Sequence, residues 1–190
     1  NNNNGGLFVI GSYVEKTSLQ VEALFNKTNI TAIEVHVDAL LDPLRRQREI
    51  AQVAAETSTA LSAGRDTAIY TSRQLITGEN GASSLAIGQT VSDSLIEIVQ
   101  NITVQPRYLV AKGGITSSDI ATKGLGVKRA MVMGQAQPGV PAWQLGPESR
   151  YPGMSYIIFP GNVGDNYALV RIKNNLQQEN TQQEGTRDAH

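Results

Sequence analysis

The chain repeats one pattern over most of its length: a short apolar run that ends near glycine, then a longer stretch with apolar residues at helical spacing. The run 108–111 is the clearest example, because Gly113 and Gly114 follow it after a single lysine. Short apolar runs are typical of strands covered on both faces, and the stretches between them are typical of crossover helices. The pattern predicts an α/β domain with a layered, mostly parallel sheet flanked by helices.

The predicted elements alternate in chain order. Strands are expected at residues 7–10, 30–37, 67–71, 108–111, 130–133 and 155–159. Helices are expected at residues 17–25, 43–61, 82–99 and 166–176, with a further helix starting at residue 116. Asp42 and Pro43 suit the N-cap and first residue of the long second helix, and Gly64 is expected to close it. The segment 134–146 is rich in proline and glycine, so it is predicted to be a rigid loop.

The length of 190 residues suits one domain, which we place at residues 7–176. The ends, residues 1–6 and 177–190, are polar, and we expect them to be disordered. The sequence opens with asparagines rather than with an initiator methionine or a signal peptide. We therefore expect it to be a piece of a longer chain.

Composition argues against several classes of function. The net charge of −1 and the pI near 6.2 give no electrostatic attraction to nucleic acid or to an anionic membrane. No apolar run is long enough to span a bilayer. The absence of cysteine excludes disulfides and thiolate metal ligands, and it suits the cytoplasm. We therefore expect a cytoplasmic protein whose partners include neither nucleic acid nor a membrane.

Three glycine-bearing turns follow predicted strands: Gly11-Ser12, the segment 113–116 and the segment 161–164. In a parallel sheet these turns lie along the edge formed by the carboxyl ends of the strands, where such sheets bind their ligands. One such turn suits an ordinary strand-to-helix connection as well as a phosphate site. Three turns together favour a phosphate or nucleotide site built from backbone donors.

The turn after residue 111 carries the most detail. Thr116 and Asp119 have the spacing of a capping box, which predicts that a helix begins there. Backbone N–H groups at a helix start attract phosphate, and Lys112 adds a point charge beside the glycines. Asp119 is interpreted as part of the cap rather than as a ligand of a nucleotide-bound metal ion.

The common nucleotide motifs are absent from the sequence. There is no G-x-x-x-x-G-K-[ST], which argues against a P-loop, and there is no protein-kinase signature. Gly124 and Gly126 begin a G-x-G, but Arg129 occupies the position of the third glycine. This failed fingerprint disfavours a dinucleotide-dependent oxidoreductase.

Two other groups of residues have alternative interpretations. Glu34, His36 and Asp38 alternate along the second strand, which favours the solvated face of an edge strand over a metal site. Trp143 follows the proline-rich segment, and it suits either a cover for an adenine or a core position.

Three motifs occur in order: GGITSSDIA at 113–121, GQAQPGVPAW at 134–143 and YIIFPGNVGD at 156–165. Together they resemble the C-terminal nucleotide-binding domain of the four-carbon acid sugar kinases, which phosphorylate erythronate, threonate or 3-oxo-tetronate with ATP. The segment IGSYVEKTSLQ at 10–20 is similar to the opening strand of that domain, with its glycine-serine pair and later threonine and glutamine. The resemblance extends from about Leu7 to Leu176.

The resemblance implies that the glycine-rich turns hold ATP together with Mg²⁺. Matching positions point to a set of cofactor-binding residues on all three turns: Ser12, Gly114, Ile115, Thr116, Ser117 and Gly161. The same turns add Lys112, Gly113, Asn162 and Gly164. No side chain of this chain is expected to ligate a metal directly, and none is expected to be catalytic.

Family members also have a separate N-terminal domain, which binds the small sugar acid and supplies a catalytic aspartate. Nothing in this sequence corresponds to that domain. The resemblance therefore implies the ATP-binding lobe of a carbohydrate kinase, inactive alone and active when joined to a substrate domain in the same or another chain. The alternative is a non-catalytic interaction domain of the same fold that does not use ATP. The sequence is compatible with a homo-oligomer but does not specify one.

Overall fold

One sheet of seven strands forms the centre of the molecule in a computed structural model, which describes residues 2–73, 78 and 80–185. The strands are β1 (Leu7–Ile10), β2 (Thr31–Val35), β3 (Thr67–Thr71), β4 (Tyr108–Lys112), β5 (Ala130–Gln137), β6 (Val140–Leu145) and β7 (Ser155–Phe159). Their order is β2-β3-β1-β4-β7-β6-β5. The first five strands in this order are parallel, and β6 and β5 extend the sheet by antiparallel pairing.

Helices cover both faces of this sheet. They are α1 (Glu15–Lys27), α2 (Val37–Leu41), α3 (Arg46–Ser62), α4 (Gly81–Asn101), α5 (Gly114–Asp119) and α6 (Ala168–Gly185). Helix α5 continues without a break as a π-helix over Ile120–Gly124. The α/β class and the mostly parallel sheet predicted from the alternating pattern are therefore confirmed.

The strand residues alternate between two apolar clusters. Phe8 and Ile10 of β1 pack with α1 and α6, whereas Leu7 and Val9 pack with α3, α4 and the π-helix. All four residues are buried, as expected for a central strand covered on both faces. The chain therefore leaves β1 toward one face of the sheet, and it leaves the neighbouring strands β3 and β4 toward the other. This divergence opens a crevice at the carboxyl ends of the strands, where α/β sheets bind ligands.

The prediction of a rigid loop at residues 134–146 is wrong. Residues of this segment belong to β5 and β6, which form an antiparallel hairpin that turns at Pro138 and Gly139. Gly139 has φ of +78°, a left-handed conformation that glycine adopts without strain. The pairing shifts register between Val132 and Gly134 and again between Gln135 and Gln137. Such irregular pairing next to a turn accommodates Pro141, which has no N–H to donate.

The helix predicted at residues 43–61 starts later than expected. A short helix, α2, precedes it, and α3 begins at Arg46 rather than at Pro43. Asp42 caps the intervening turn instead, because its carboxylate accepts hydrogen bonds from Leu44 N at 2.9 Å and Arg45 Nε at 2.7 Å. Gly64 follows the end of α3 with φ of +73°, as a closing glycine should.

The polar ends are more ordered than the sequence suggests. Although residues 1–6 are expected to be disordered, Gly5 N donates to Leu61 O at 2.9 Å and Gly6 N donates to Asp66 Oδ1 at 2.7 Å. Backbone hydrogen bonds thus fix a segment that has little apolar surface to bury. At the other end α6 continues past residue 176 to Gly185, while residues 186–190 lie outside the described part of the chain.

Within the described ranges, no helix combines the length and the apolar character that a bilayer span requires.

Strand β2 lies at an edge of the sheet, and His36, just beyond it, contacts Glu49 Oε1 through Nδ1 at 2.9 Å. This contact and nearby carboxylates raise the pKa of His36. Residues 2–73, 78 and 80–185 contain no group of three or more histidine or acidic side chains placed to hold a metal ion.

Candidate nucleotide-binding site

Three turns emerge side by side at the carboxyl ends of β1, β4 and β7. We name them the β1 turn (residues 11–14), the β4 turn (113–114) and the β7 turn (160–165). Gly11 N donates to Lys112 O at 3.2 Å, and Gly113 N donates to Phe159 O at 2.9 Å. These bonds continue the parallel pairing just past the strands. The structure thus brings together the three glycine turns that the sequence places about 50 to 100 residues apart.

The β1 and β7 turns are in direct contact. Thr17 Oγ1 donates to Ser12 Oγ at 3.0 Å and lies 3.4 Å from Gly161 O. A Cβ atom on Gly161 would lie only 3.3 Å from Ser12 Oγ, so a side chain there would crowd the hydroxyl. Thr17 is fully buried, and its hydroxyl fixes the position of Ser12 relative to Gly161.

The β4 turn owes its shape to Gly113. This residue has φ of +126°, which only glycine adopts readily, and it is the N-cap of α5. The capping box predicted from Thr116 and Asp119 is therefore not formed: Thr116 is already inside the helix, and Asp119 pairs with Lys123 at 3.1 Å. The hydroxyl of Ser117 donates back to Gly113 O at 2.6 Å.

Gly11 and Gly114 show where the site is tight and where it is open. A Cβ atom on Gly11 would lie 2.8 Å from Thr116 Oγ1, so the β1 turn and α5 approach as closely as glycine permits. A Cβ atom on Gly114 would meet no atom within 4 Å in the described part of the chain. Gly114 and the neighbouring Ile115 are exposed, and they border open space above the crevice.

Lys112 lies beneath the β7 turn rather than on its open side. Its side chain is 0% exposed, and Nζ donates to Pro160 O at 3.0 Å and Gly161 O at 3.3 Å. The ammonium also lies 3.9 Å from the centre of the Phe159 ring. Burial, together with the nearby charge of Lys16, lowers the pKa of Lys112 to about 8. The lysine thus holds the backbone of the turn from below.

The rest of the β7 turn is held by residues of α1. Gln20 Nε2 donates to Val163 O at 3.0 Å and to Asp165 O at 2.9 Å, and Lys16 Nζ donates to Asn162 O at 3.2 Å. Asn162 is exposed at the surface of the site. Gly164 has φ of +80°, and a Cβ atom there would lie 2.6 Å from Ala168 Cβ. Packing against α6 therefore requires glycine at position 164.

Arg73 belongs to the same edge, and sequence reasoning missed it. Its Nη1 donates to Ser12 O at 2.8 Å, while Nε and Nη2 donate to the backbone and side-chain oxygens of Thr71 at 3.0 and 2.8 Å. Burial lowers the pKa of this guanidinium. The one available signal is position: Arg73 follows the predicted third strand by two residues, which places it at the carboxyl edge.

A cleft of about 240 Å³ opens beside the β1 and β4 turns. Its walls are Gly11 and Tyr13 of the β1 turn, Ile115 and Thr116 of α5, and one face of α4 between residues 84 and 95. The cleft is therefore continuous with the crevice between β1 and β4.

Trp143 packs against the core. It lies on β6, and its ring stacks on Tyr156 with centroids 6.4 Å apart and an angle of 29° between the planes. Tyr156 OH in turn donates to Ser117 O at 2.6 Å. Of the two interpretations of Trp143, this contact supports a core position that braces α5 through Tyr156.

The fold and its edge of converging turns are those of an α/β domain that binds a ligand at a switch in strand order. The chain belongs to the family described as the nucleotide-binding C-terminal domain, whose model matches residues 7–169. The resemblance to that domain, inferred from the three motifs, is thereby confirmed. No curated protein matches this chain.

Two solved structures have the same fold. One is a Bordetella bronchiseptica protein described as a domain of unknown function (DUF1537), a domain-swapped dimer with bound citrate. It is 18% identical, with a TM-score of 0.73, over 90% of this chain and 40% of its own. The other is a Haemophilus influenzae protein of the DUF1537 family, 18% identical, with a TM-score of 0.64, over 90% of this chain and 40% of its own. The chain thus spans about 40% of the length of these proteins.

Proposed function

We propose that this chain is the ATP-binding lobe of a kinase that phosphorylates a hydroxyl group of a four-carbon sugar acid. The observation that carries the proposal is the convergence of the β1, β4 and β7 turns at one edge of the sheet. The family of nucleotide-binding C-terminal domains supports the nucleotide, and the three motifs support the kinase class. The citrate of the Bordetella protein, a small carboxylic acid, is compatible with an acid substrate.

The proposed roles of the site residues are positional and electrostatic. Ser12, Gly161 and the segment 114–117 would hold the phosphates, because backbone N–H groups in the first turn of a helix have no intrahelical partner. Gly114 fits this role since its surface faces open space. When bound, ATP with Mg²⁺ supplies the phosphoryl group for transfer. Asp119 pairs with Lys123 at 3.1 Å, so the phosphate oxygens rather than Asp119 would hold the magnesium ion.

The other half of the reaction is assigned to a separate domain. Transfer needs a group that positions the nucleophilic hydroxyl, and none of the described residues assigned above to the phosphates has that role. We therefore propose that residues 7–176 form one lobe and that a substrate domain, in the same or another chain, supplies the acid and the catalytic group. The isolated lobe would bind ATP without turnover. The domain-swapped dimer of the Bordetella protein supports the proposal that this chain also belongs to a homo-oligomer.

Thermal unfolding with Mg²⁺-ATP, Mg²⁺-ADP, NAD and no ligand tests the proposal. A ligand at about a hundred times its dissociation constant stabilises the folded state by roughly 2.7 kcal/mol, which is a readily measured shift. We expect stabilisation by ATP and ADP that exceeds any effect of NAD. No stabilisation by any nucleotide at millimolar concentration would contradict the proposal and favour the non-catalytic interaction domain.

A matched pair of variants locates the site. Gly81 and Gly114 are the first residues of α4 and α5, and an added Cβ at either position would meet no atom within 4 Å among the residues that the structure describes. Both therefore tolerate a larger residue. We expect Gly114→Leu to abolish the stabilisation by ATP and Gly81→Leu to retain it. Equal responses of the two variants would place the nucleotide elsewhere.

A further inference from the structure

The cleft beside α4 adjoins the proposed phosphate site. Gly11 and Thr116 line this cleft of about 240 Å³ and also belong to the edge where the β1 and β4 turns meet. A nucleotide whose phosphates lie at these turns therefore has the cleft within reach of its nucleoside.

The rim of the cleft is unusually apolar for a surface. Leu85 of α4 is 74% exposed and Ile115 of α5 is 71% exposed, and both line the cleft. Val91 and Leu95 are buried at its α4 wall. Large apolar side chains on both sides of a concave surface gain free energy when a flat apolar group covers them. The face of a nucleotide base is such a group, because it stacks on apolar and aromatic side chains whatever its sequence identity.

A buried hydroxyl lines the same cleft without a partner. Ser92 is 8% exposed, and its Oγ has no hydrogen-bond partner among the residues that the structure describes. Ser94 of the same helix behaves differently, because its hydroxyl donates to Thr90 O at 2.7 Å. A buried polar group without a partner costs folding free energy, and ligand contact recovers it. A serine hydroxyl both donates and accepts, so it can bond the nitrogen-bearing edge of a base.

Gly88 leaves the cleft open above Ser92. It lies four residues before Ser92, hence on the same face of α4, and it lines the cleft. An added Cβ at Gly88 would meet no atom of the described residues within 4 Å, so packing among these residues does not require glycine there. Glycine inside a helix is destabilising relative to alanine. The need to leave space for a ligand would explain why glycine occupies position 88.

We propose that the cleft receives the base of the bound nucleotide, with Leu85 and Ile115 covering its faces and the Ser92 hydroxyl bonding its edge. The inference rests on the proposed nucleotide site at the three turns and extends it to the base. The ligand class is a nucleoside triphosphate or diphosphate, and the probes below are ATP and inorganic tripolyphosphate. Tripolyphosphate carries the phosphates of ATP without its base.

A methionine side chain at position 88 would occupy part of the cleft. We expect Gly88→Met to weaken ATP binding by about tenfold or more, the order of one base-stacking contact. Tripolyphosphate binding should change by less than about twofold, because the turns are untouched. Ala86→Met is the matched control: Ala86 is exposed on α4 and does not line the cleft, so both affinities should persist. Isothermal titration calorimetry in the presence of Mg²⁺ measures the dissociation constants of both ligands for the wild type and for each variant.

Ser92→Ala tests the hydroxyl separately. Since the hydroxyl has no partner to lose, the variant should unfold at the same temperature as the wild type or higher when no ligand is present. Its ATP affinity should fall by about fivefold with tripolyphosphate binding unchanged, consistent with the loss of one hydrogen bond. An unchanged ATP affinity would remove Ser92 from the base site.

The outcomes separate this inference from the proposed function. If the wild-type chain binds neither ATP nor tripolyphosphate, the proposed function itself is contradicted. If it binds both, and Gly88→Met weakens both equally or neither, the phosphate site stands and the base lies outside this cleft. Selective loss of ATP binding in Gly88→Met, with Ala86→Met unaffected, supports the inference.

Discussion

The ammonium group of Lys112 donates to the carbonyl oxygen of Pro160 at 3.0 Å from a fully buried position. A lysine on β4 thus supports the turn that follows β7, the strand beside it. Buried ammonium groups are costly because the charge is removed from water, and two carbonyl contacts offset only part of that cost. The lowered pKa of Lys112, about 8, expresses this balance.

The first prediction concerns the pH dependence of stability. Because the pKa of Lys112 is about 8 in the folded protein and 10.5 ordinarily, the unfolded chain holds a proton between these values that the folded protein has released. The free energy of unfolding therefore gains a contribution that rises with pH through this window, by at most roughly 3 kcal/mol. Below pH 8 the full cost of burying the charge is present.

Lys112→Met removes this contribution. Chemical denaturation of both proteins from pH 7 to 10.5 measures the free energy of unfolding. The wild type should become more stable relative to the variant as the pH rises. Other groups, including the tyrosines, titrate in both proteins and cancel in the difference. A pH-independent difference would mean that Lys112 titrates near its ordinary pKa.

The second prediction compares neighbouring glycines. Gly113 has φ of +126°, and an added Cβ would lie 3.2 Å from Thr116 Oγ1, whereas Gly114 has open space around it. Gly113→Ala should lower the free energy of unfolding by about 1–3 kcal/mol because alanine is strained in that conformation. Gly114→Ala should leave it unchanged or raise it by up to about 1 kcal/mol. Urea denaturation without ligand measures both, and equal effects would contradict the assigned shape of the β4 turn.

The strands that face the core were predictable from the sequence, and so were the glycine turns at their carboxyl ends. β1, β3 and β7 match their predicted ranges because short apolar runs leave one interpretation each. The β5–β6 hairpin was not predictable in the same way. Pro138 and Gly139 indicate a turn, but Pro141 also argues against a strand, and only pairing with β7 through β6 overrides that local signal.

The site was predictable as a set of turns but not as a set of contacts. That Ser12 lies against Gly161 depends on β1 and β7 both flanking β4, and no local signal gives the strand order. Arg73 and Thr17 position the turns by donating hydrogen bonds to their backbone or hydroxyl oxygens. No spacing rule in the sequence identifies residues with such a role. The first residue of α5 also depends on one torsion angle, that of Gly113. Gly113 forms the N-cap, and the capping box predicted from Thr116 and Asp119 is therefore not used.

The third prediction assigns Arg73 a positioning role at the proposed phosphate site. Arg73→Met keeps the aliphatic stem but loses the bond to Ser12 O and both bonds to Thr71. We expect a destabilisation of about 1–2 kcal/mol and a loss of ATP affinity of about tenfold, because the β1 turn is no longer fixed. Calorimetric titration at a temperature where both proteins are folded measures the affinity. Arg45→Met, which removes an exposed arginine that pairs with Asp38 and Asp42, is the control. Lost stability with unchanged affinity would limit Arg73 to a structural role.

The fourth prediction concerns the opposite edge of the sheet, where Asp66 is buried among cations. Its Oδ1 accepts from Gly6 N at 2.7 Å and from Arg107 Nη2 at 3.1 Å, and its Oδ2 lies 3.8 Å from Lys173 Nζ. Lys173 is buried too, and its pKa is lowered by burial and then raised in part by Asp66. Asp66 therefore compensates two positive charges that have little access to water.

Asp66→Ala should be the most destabilising of these substitutions. Removing one partner of a buried ion pair leaves the other charge uncompensated, which costs about 3–5 kcal/mol. Asp38→Ala breaks an exposed pair with Arg45, and it should cost less than about 1 kcal/mol. Because Asp66 lies at the amino ends of the strands, ATP affinity of any folded Asp66→Ala protein should match that of the wild type. A large loss of affinity with intact stability would instead connect this buried cluster to the nucleotide site across the sheet.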